Sequence, residues 1–376
     1  MSWTLMLRNL GLKNFKAFAD LELPFGSLTL LSGLNGSGKS SVLQSLGLLR
    51  QSYDSDDLTR GELDLNGPLV SIGTGRDALH QSFVDPEIGI WCEFAISGDV
   101  ESLEWKARAE ADADVLLCDQ FAREQLLDRH NLFGRGFQFL RADRITPSVT
   151  FPMSQHTVVH DRSLGPRGEY TAHFLLKFGA ELVVAPSLRV SIDDAGASLL
   201  AQVNAWMQHF SPGVRVEPVG VPMTDLVRLA YSFRGEKASY GDPLRPTNVG
   251  FGLTHVLPIL AGCLAAVPGT LVVVENPEAQ LHPLGQAAMG RLLALTAALG
   301  VQVIVETHSD HVLNGIRLAV KHGHLEPSRT LLHFFSRQPG EAGTYETPTI
   351  ASDGRLSYWP SGFFDQWERS LDQLLT

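Results

Sequence analysis

Gly33-Leu34-Asn35-Gly36-Ser37-Gly38-Lys39-Ser40 is the stretch that decides how this chain is read. It matches G-x-x-x-x-G-K-[ST] in full. The apolar run Ser27-Leu-Thr-Leu-Leu-Ser32 precedes it and Ser41-Val-Leu-Gln-Ser-Leu-Gly-Leu-Leu49 follows, so the predicted order is strand, loop, helix. The glycines let backbone amides curl around a phosphate, and the helix start adds positive dipole. In that pattern Lys39 reaches the β- and γ-phosphates and the Ser40 hydroxyl ligates Mg²⁺, while Leu34, Asn35, Ser37 and Ser41 line the loop. The stretch implies a site for a nucleoside triphosphate.

A second half of such a site is predicted far along the chain. Leu271-Val-Val-Val-Glu275 reads as a buried strand ending in an acid, followed by Asn276-Pro277-Glu278. A carboxylate there supplies the second Mg²⁺-holding group, so Ser40 and Glu275 are the candidate metal ligands. The next strand, Val301-Gln-Val-Ile-Val-Glu306, runs into Thr307-His308-Ser309. That puts His308 at the carboxyl edge of the sheet, where ligands bind in open α/β folds, able to sense the γ-phosphate or orient water. The alternative is a capping histidine before a helix. Between the loop and these strands, Asn248-Val-Gly250-Phe-Gly252-Leu-Thr254 precedes a helix, and its glycines offer further backbone amides to a phosphate.

Around these motifs the chain reads as mixed α/β. Leu5–Leu12, Leu21–Leu23, Ile88–Ile96 and a segment near Leu103 suggest a β-rich lobe. Asp99–Phe133 lacks Gly and Pro, and leucines at helical spacing predict a helical insertion over Ala107–His130. Helices are expected at Tyr170–Phe178, Ala197–Phe210, Thr254–Ala266, Pro283–Leu299 and from Phe363, with strands at Gln138–Ile145 and Leu331–Ser336. The expected organisation is an N-terminal lobe over 1–98 and an inserted helical and mixed region over 99–247. A C-terminal lobe over 248–336 and a small module over 337–376 complete it.

Composition narrows the classes. The chain has 376 residues, 44% of them hydrophobic, and a formal net charge of −11, which argues against a surface coated for nucleic acid. Its three cysteines are far apart and predict free thiols in a reducing compartment. No apolar run is long enough to span a bilayer, and no signal-peptide core is present, so a cytoplasmic location away from the membrane is expected. No heptad pattern sustains a long coiled coil.

The ordered set Lys13-Asn-Phe-Lys-Ala-Phe18, the Gly33–Ser40 loop, Gly250-Phe-Gly252, Glu275–Pro283 and Glu306-Thr-His-Ser309 resembles the ABC-type ATPase heads of the SMC, RecF and OLD group of AAA-family ATPases. The tail Asp353–Asp365, with Arg141-Ala-Asp-Arg144 and Gly165–Thr171, is similar to one bacterial branch that carries a C-terminal module of unknown function. The resemblance implies a P-loop head that binds ATP and Mg²⁺. It implies a homodimer with ATP sandwiched between heads, open to higher oligomers, in which Gly250, Gly252 and Thr254 complete the site of the opposite copy. It further implies defence-linked roles beside a separate effector such as a nuclease; clustered acids for an internal nuclease are missing after His308.

Departures from that pattern shape the expected chemistry. Val249-Gly-Phe-Gly-Leu253 lacks the serine of the transporter signature Leu-Ser-Gly-Gly-Gln, leaving Thr254 as a substitute. The residue after Glu275 is Asn276, and an amide orients water but accepts no proton. Slow hydrolysis follows, with Glu278 as the base ahead of Asn276 and with Lys39 and His308 assisting. Two alternatives stand beside this reading. One is a RecF-like factor binding DNA through Arg141, Arg144, Arg162 and Arg167, whose competing explanation is internal salt bridging. The other is a transporter ATP-binding subunit.

Overall fold

A computed structural model describes residues 4–119, 127–190, 196–235, 239–337, 343–360, 362–363 and 373–374. The chain divides into two compact units, Met1–Gly134 with Glu326–Thr376, and Arg135–Leu325.

In the first unit, strand β1 (Met6–Phe15) pairs antiparallel with β2 (Phe18–Pro24), with Phe15 opposite Phe18. The chain reverses through Asn14 and Lys16, both at positive φ (58° and 50°). Asn tolerates that region, and here its side-chain amide also donates to the carbonyls of Asp85 and Glu87. Strand β3 (Leu28–Gly33) is buried along its whole length, as a parallel strand must be. The helix Lys39–Asp54 follows. The short β4 (Glu62–Asp64), β5 (Glu87–Ile96), β6 (Asp99–Arg108) and β7 (Val115–Cys118) join β1 and β2 in the sheet order β2-β1-β5-β6-β7-β4.

Of the helix expected over Ala107–His130, the part through Cys118 does not form: β6 runs through Arg108 and β7 occupies Val115–Cys118, while 120–126 lie outside the described residues. Alternation decides it. Trp105 and Ala107 are buried while Glu104, Lys106 and Arg108 face solvent. The turn Ser97-Gly98, with φ of 49° and 102°, closes a tight hairpin that pairs β6 with β5 from Ile96↔Asp99 to Glu87↔Arg108.

The second unit holds three parallel strands, β8 (Gln138–Leu140), β12 (Leu271–Glu275) and β13 (Gln302–Glu306), in the order β8-β12-β13. It also holds an antiparallel sheet in which β9 (Phe151–Pro152) and β10 (Val214–Gly220) flank β11 (Leu226–Phe233). The helices Thr171–Phe178 and Leu199–Met207 accompany that sheet. Its two longer strands were not anticipated, although Val214 and Val216 alternate in and out with Arg215 and Glu217. The helix Phe251–Ala265 precedes β12, Pro283–Ala298 links β12 to β13, and Asp310–Lys321 follows β13. The last two helices touch backbone to backbone. A Cβ at Gly290 would lie 2.1 Å from the Val312 carbonyl oxygen, and one at Gly315 would lie 2.1 Å from that of Ala287.

In the first unit, β14 (Thr330–Ser336) lies parallel to β3, and β15 (Thr344–Glu346) pairs antiparallel with β14. Residues 338–342 and 364–372, which include most of the expected C-terminal helix and Asp365, lie outside the described set. The longest helices among the described residues have 16 residues, so none of them makes a long coiled coil. Among the described residues no helix is long and apolar enough to cross a membrane.

Candidate functional site

The phosphate-loop motif of the first unit folds as its glycines demand, each for a different reason. Gly33 sits at φ 139°, and a Cβ there would lie 2.1 Å from the Phe335 carbonyl oxygen of neighbouring β14. Gly38 sits at φ 107°, and its Cβ would run into the Phe18 ring at 2.4 Å. Gly36 has open space around it, so its φ of 75° alone calls for glycine. Phe18 closes the Lys13–Phe18 motif, which gives that motif a physical role beneath the loop.

Gly38 is the N-cap of the helix Lys39–Asp54 and offers no side chain to its first-turn amides. The Lys39 ammonium folds back over the loop and donates to the carbonyls of Gly33 (3.0 Å) and Leu34 (2.8 Å). Leu34, Asn35, Gly36 and Ser40 are exposed, Ser41 is buried, and the buried Ser37 hydroxyl has no partner. A glycine cradle, an uncapped helix start, a lysine and an orphaned hydroxyl make a donor set that fits a phosphate chain. The exposed Ser40 hydroxyl fits a Mg²⁺ ligand.

The second unit brings together residues at the ends of its parallel strands. Glu275 and Glu306 are register partners on β12 and β13. The chain leaves β12 through Asn276 at φ 44°, a left-handed conformation that asparagine adopts more readily than glutamate, and the Asn276 amide donates to the Glu306 carbonyl at 2.8 Å. Glu278 is then held from three sides. Its Oε2 accepts the Thr307 hydroxyl at 2.6 Å, and its Oε1 accepts the His308 backbone N–H at 2.9 Å and the Asn276 Nδ2 at 3.4 Å. Three residues picked from the sequence, Asn276, Glu278 and His308, thus meet around one carboxylate. His308 itself is exposed, and the cap of the following helix is Ser309, whose hydroxyl accepts from Val312 N–H at 3.1 Å. Thr307 was missed; the only signal for it was its place in the Glu-Thr-His-Ser run after β13.

Glu275 is half-buried, and its Oε2 accepts the Ala142 N–H at 2.9 Å. Burial pushes its carboxyl above the ordinary value, opposed by the Ala142 hydrogen bond and by Arg141. Beneath it lies Arg144, which is 2% exposed and was expected to be a candidate phosphate contact. Its guanidinium instead donates to the backbone carbonyls of Arg141 (3.0 Å), Glu275 (2.6 Å) and Asn276 (2.6 Å). Burial lowers it to about 10, against the pull of Glu278 and Glu275, so it stays a cation at neutral pH. The other candidate arginines are likewise engaged internally. Arg141 pairs with Asp143 at 2.8 Å, Arg167 donates to the Asp143 carbonyl at 2.9 Å, and Arg162 lies 3.9 Å from the Phe178 ring centre.

In the glycine segment of the second unit, Gly250 is the exposed N-cap of the helix Phe251–Ala265, and Phe251 beside it is 52% exposed. Gly252 passes so near the loop after Glu278 that a Cβ would meet the Gln280 carbonyl oxygen at 2.5 Å. Thr254, expected to replace the signature serine, is instead 2% exposed and lies against Tyr231. The exposed residues of this segment are Asn248, Gly250 and Phe251. All three cysteines are free; burial raises the thiols of Cys118 and Cys263 to about 12 and holds that of Cys92 higher still.

Comparison with known proteins places the chain. Residues 28–314 match the family described as "AAA domain, putative AbiEii toxin, Type IV TA system". Residues 325–374 match a protein of unknown function (DUF3696), in line with the tail resemblance. An OLD nuclease of Thermus scotoductus is 43% identical over 44 residues, which is 12% of this chain and 8% of that protein. The chain thus spans less than a tenth of that relative's length in the match. An Smc head bound to the C-winged helix domain of ScpA shares 14% identity at a TM-score of 0.56, covering 92% of this chain and 98% of that one. A second Smc head, with an extended coiled coil and bound to the C-terminal domain of ScpA derived from Pyrococcus furiosus, shares 12% identity at a TM-score of 0.54. That match covers 99% of this chain and 100% of the other. At these identities the likeness is one of fold, that of an ABC-type ATPase head.

Proposed function

We propose that this chain, which belongs to the AAA-domain family matched over residues 28–314, binds ATP with Mg²⁺ and hydrolyses it slowly to switch between monomer and homodimer. The observation that carries this reading is the three-donor hold on Glu278, which fixes one carboxylate oriented for a proton while Asn276 can only position.

In this mechanism Lys39 moves from its loop carbonyls to the β- and γ-phosphates, and the Gly33–Ser41 backbone cradles them. Ser40 would hold Mg²⁺, with Glu275 the second ligand expected from the sequence, and the ion would supply neutralisation of phosphate charge. Glu278 accepts the proton of the attacking water, oriented by Thr307 and the His308 amide, while the exposed His308 ring reads the γ-phosphate. Slow turnover follows from Asn276 standing directly after Glu275, where an amide orients water but accepts no proton. The exposed Gly250 and Phe251, at a helix start, complete the site of a second copy, so dimer formation is linked to bound nucleotide by mass action.

We place the chain in bacterial antiviral defence, in the cytoplasm, with the effector chemistry on a separate protein such as a nuclease; the family's description as a putative AbiEii toxin and the match to an OLD nuclease are in keeping with a defence role. The internal engagement of Arg141, Arg144, Arg162 and Arg167 weighs against the RecF-like DNA-binding alternative. The direct test is equilibrium binding of a fluorescent ATP analogue with Mg²⁺ to the full chain and to Lys39→Ala. The reading expects saturable binding lost in the variant; equal binding by both would refute it.

A further inference from the structure

We propose that His156, His160 and Asp161 form a surface site for a divalent transition-metal ion of the zinc, cobalt or nickel class, separate from the nucleotide machinery. The observation is convergence. One ligand atom from each residue lies within 4.8 Å of the others, and this is the one such group of three among the described residues. Both imidazole Nδ1 atoms aim at a single carboxylate oxygen: Asp161 Oδ1 lies 2.7 Å from His160 and 3.5 Å from His156. Two ligands on one tetrahedral zinc stand about 3.4 Å apart, given metal–ligand bonds of ~2.0–2.2 Å. His156 Nδ1 already stands at that spacing from Asp161 Oδ1, while His160 Nδ1 stands closer, in a hydrogen bond whose proton an ion replaces.

The backbone beneath is fixed, which limits the ordering cost of binding. His156–His160 is a π-helical turn closed by Asp161 N–H donating to the His156 carbonyl at 3.1 Å. Such turns are rare and recur at functional sites. Val158 anchors the turn in the core at 0% exposure, and Arg135 donates to the Val159 carbonyl at 2.7 Å. The Gly136 N–H donates to the Asp161 carbonyl at 3.0 Å, and the Ser154 hydroxyl accepts from the Thr157 N–H at 3.2 Å. The i, i+4 spacing puts both rings on one side of the turn, 5.0 Å apart.

The donor set selects the metal. Two imidazoles and one carboxylate suit zinc, cobalt, nickel or copper, whereas Mg²⁺ prefers oxygen and water. Both histidines are exposed, so three protein donors leave at least one coordination position to water.

The test is titration of the untagged full chain with Zn²⁺ by calorimetry and with Co²⁺ by visible absorption, without nucleotide. Loss of an outer-sphere partner alone costs about 10–100-fold in metal affinity, so loss of a direct ligand costs at least about tenfold. We expect one bound ion per chain, a Co²⁺ band in the visible, and at least that weakening in each of His156→Ala, His160→Ala and Asp161→Asn. These residues lie on the surface, and unchanged circular dichroism of the variants controls for folding. Absence of binding by the wild type, or equal binding by the wild type and the variants, would overturn the proposal. ATP binding unaffected in His160→Ala would show the two sites to be independent, and its loss would contradict the separateness claimed here.

Discussion

The Thr307 hydroxyl donates to Glu278 Oε2 at 2.6 Å, tying the residue that follows β13 to the acid that follows β12. The same hydroxyl accepts the Ser309 N–H at 3.0 Å, so its own lone pair is spoken for and its proton is directed at the carboxylate. Thr307→Val keeps the shape and removes that donor. A hydrogen bond to a charged group contributes about 1.5–3 kcal/mol, so single-turnover ATP hydrolysis is expected to fall about tenfold or more, with Thr307→Ser restoring most of it. Equal rates in wild type and Thr307→Val would show that Glu278 does not depend on this anchor.

Glu278 and Asn276 are expected to separate in the same assay. Removing a general base costs about 100-fold or more, so Glu278→Gln should nearly stop the chemical step while still binding nucleotide. Asn276 contributes one long hydrogen bond of 3.4 Å, and Asn276→Ala is expected to slow hydrolysis by about tenfold at most. The reverse ranking would assign the water-positioning role to the amide and remove Glu278 from the chemistry.

The loop glycines should rank by what a Cβ meets. Gly36→Ala faces only the left-handed backbone term, about 1–2 kcal/mol. Gly33→Ala adds a clash with the immovable Phe335 carbonyl and should cost about 3 kcal/mol or more. Urea unfolding without nucleotide reads both; similar midpoints would mean that the β3–β14 approach is looser than the structure shows.

His333 sets an acid limit on stability. It is fully buried on β14, bridging the Thr347 hydroxyl and the Pro24 carbonyl at 2.9 Å each. Burial lowers it from 6.5 to about 4, against the pull of the Pro24 bond. The folded state therefore binds this proton more weakly than the unfolded chain does. Its contribution is fully present above about pH 6.5 and is lost as pH falls towards 4, by about 3 kcal/mol over that window. Unfolding free energy measured across pH 4–7 should show this slope in the wild type and a flatter one in His333→Gln.

What the sequence disclosed follows from where the information lies. The phosphate loop and the strands ending in Glu275 and Glu306 are local patterns, and a continuous apolar run bounded by acids reads directly as a buried parallel strand. Asn276 looked like a missing base, and only its φ of 44° shows that the turn itself favours asparagine. Leu116 and Leu117 read as part of a helix because composition there lacks breakers, while the deciding alternation lay earlier, at Trp105 and Ala107. For Arg144 two readings stood open, phosphate contact or internal bridging: two of its three carbonyl partners, Glu275 and Asn276, lie 131 and 132 residues further along the chain, and no spacing rule chooses between an internal clamp and a phosphate contact. Thr254 failed for a similar reason, since which face of its helix packs against Tyr231 is a tertiary fact.

The central claim is that nucleotide drives self-association, and the molar mass of Glu278→Gln by light scattering tests it most directly. With ATP and Mg²⁺ this slowed variant should move from the mass of one chain to that of two, and the double variant with Lys39→Ala should stay at one. A mass that does not respond to ATP would contradict the switch, whatever the protein binds.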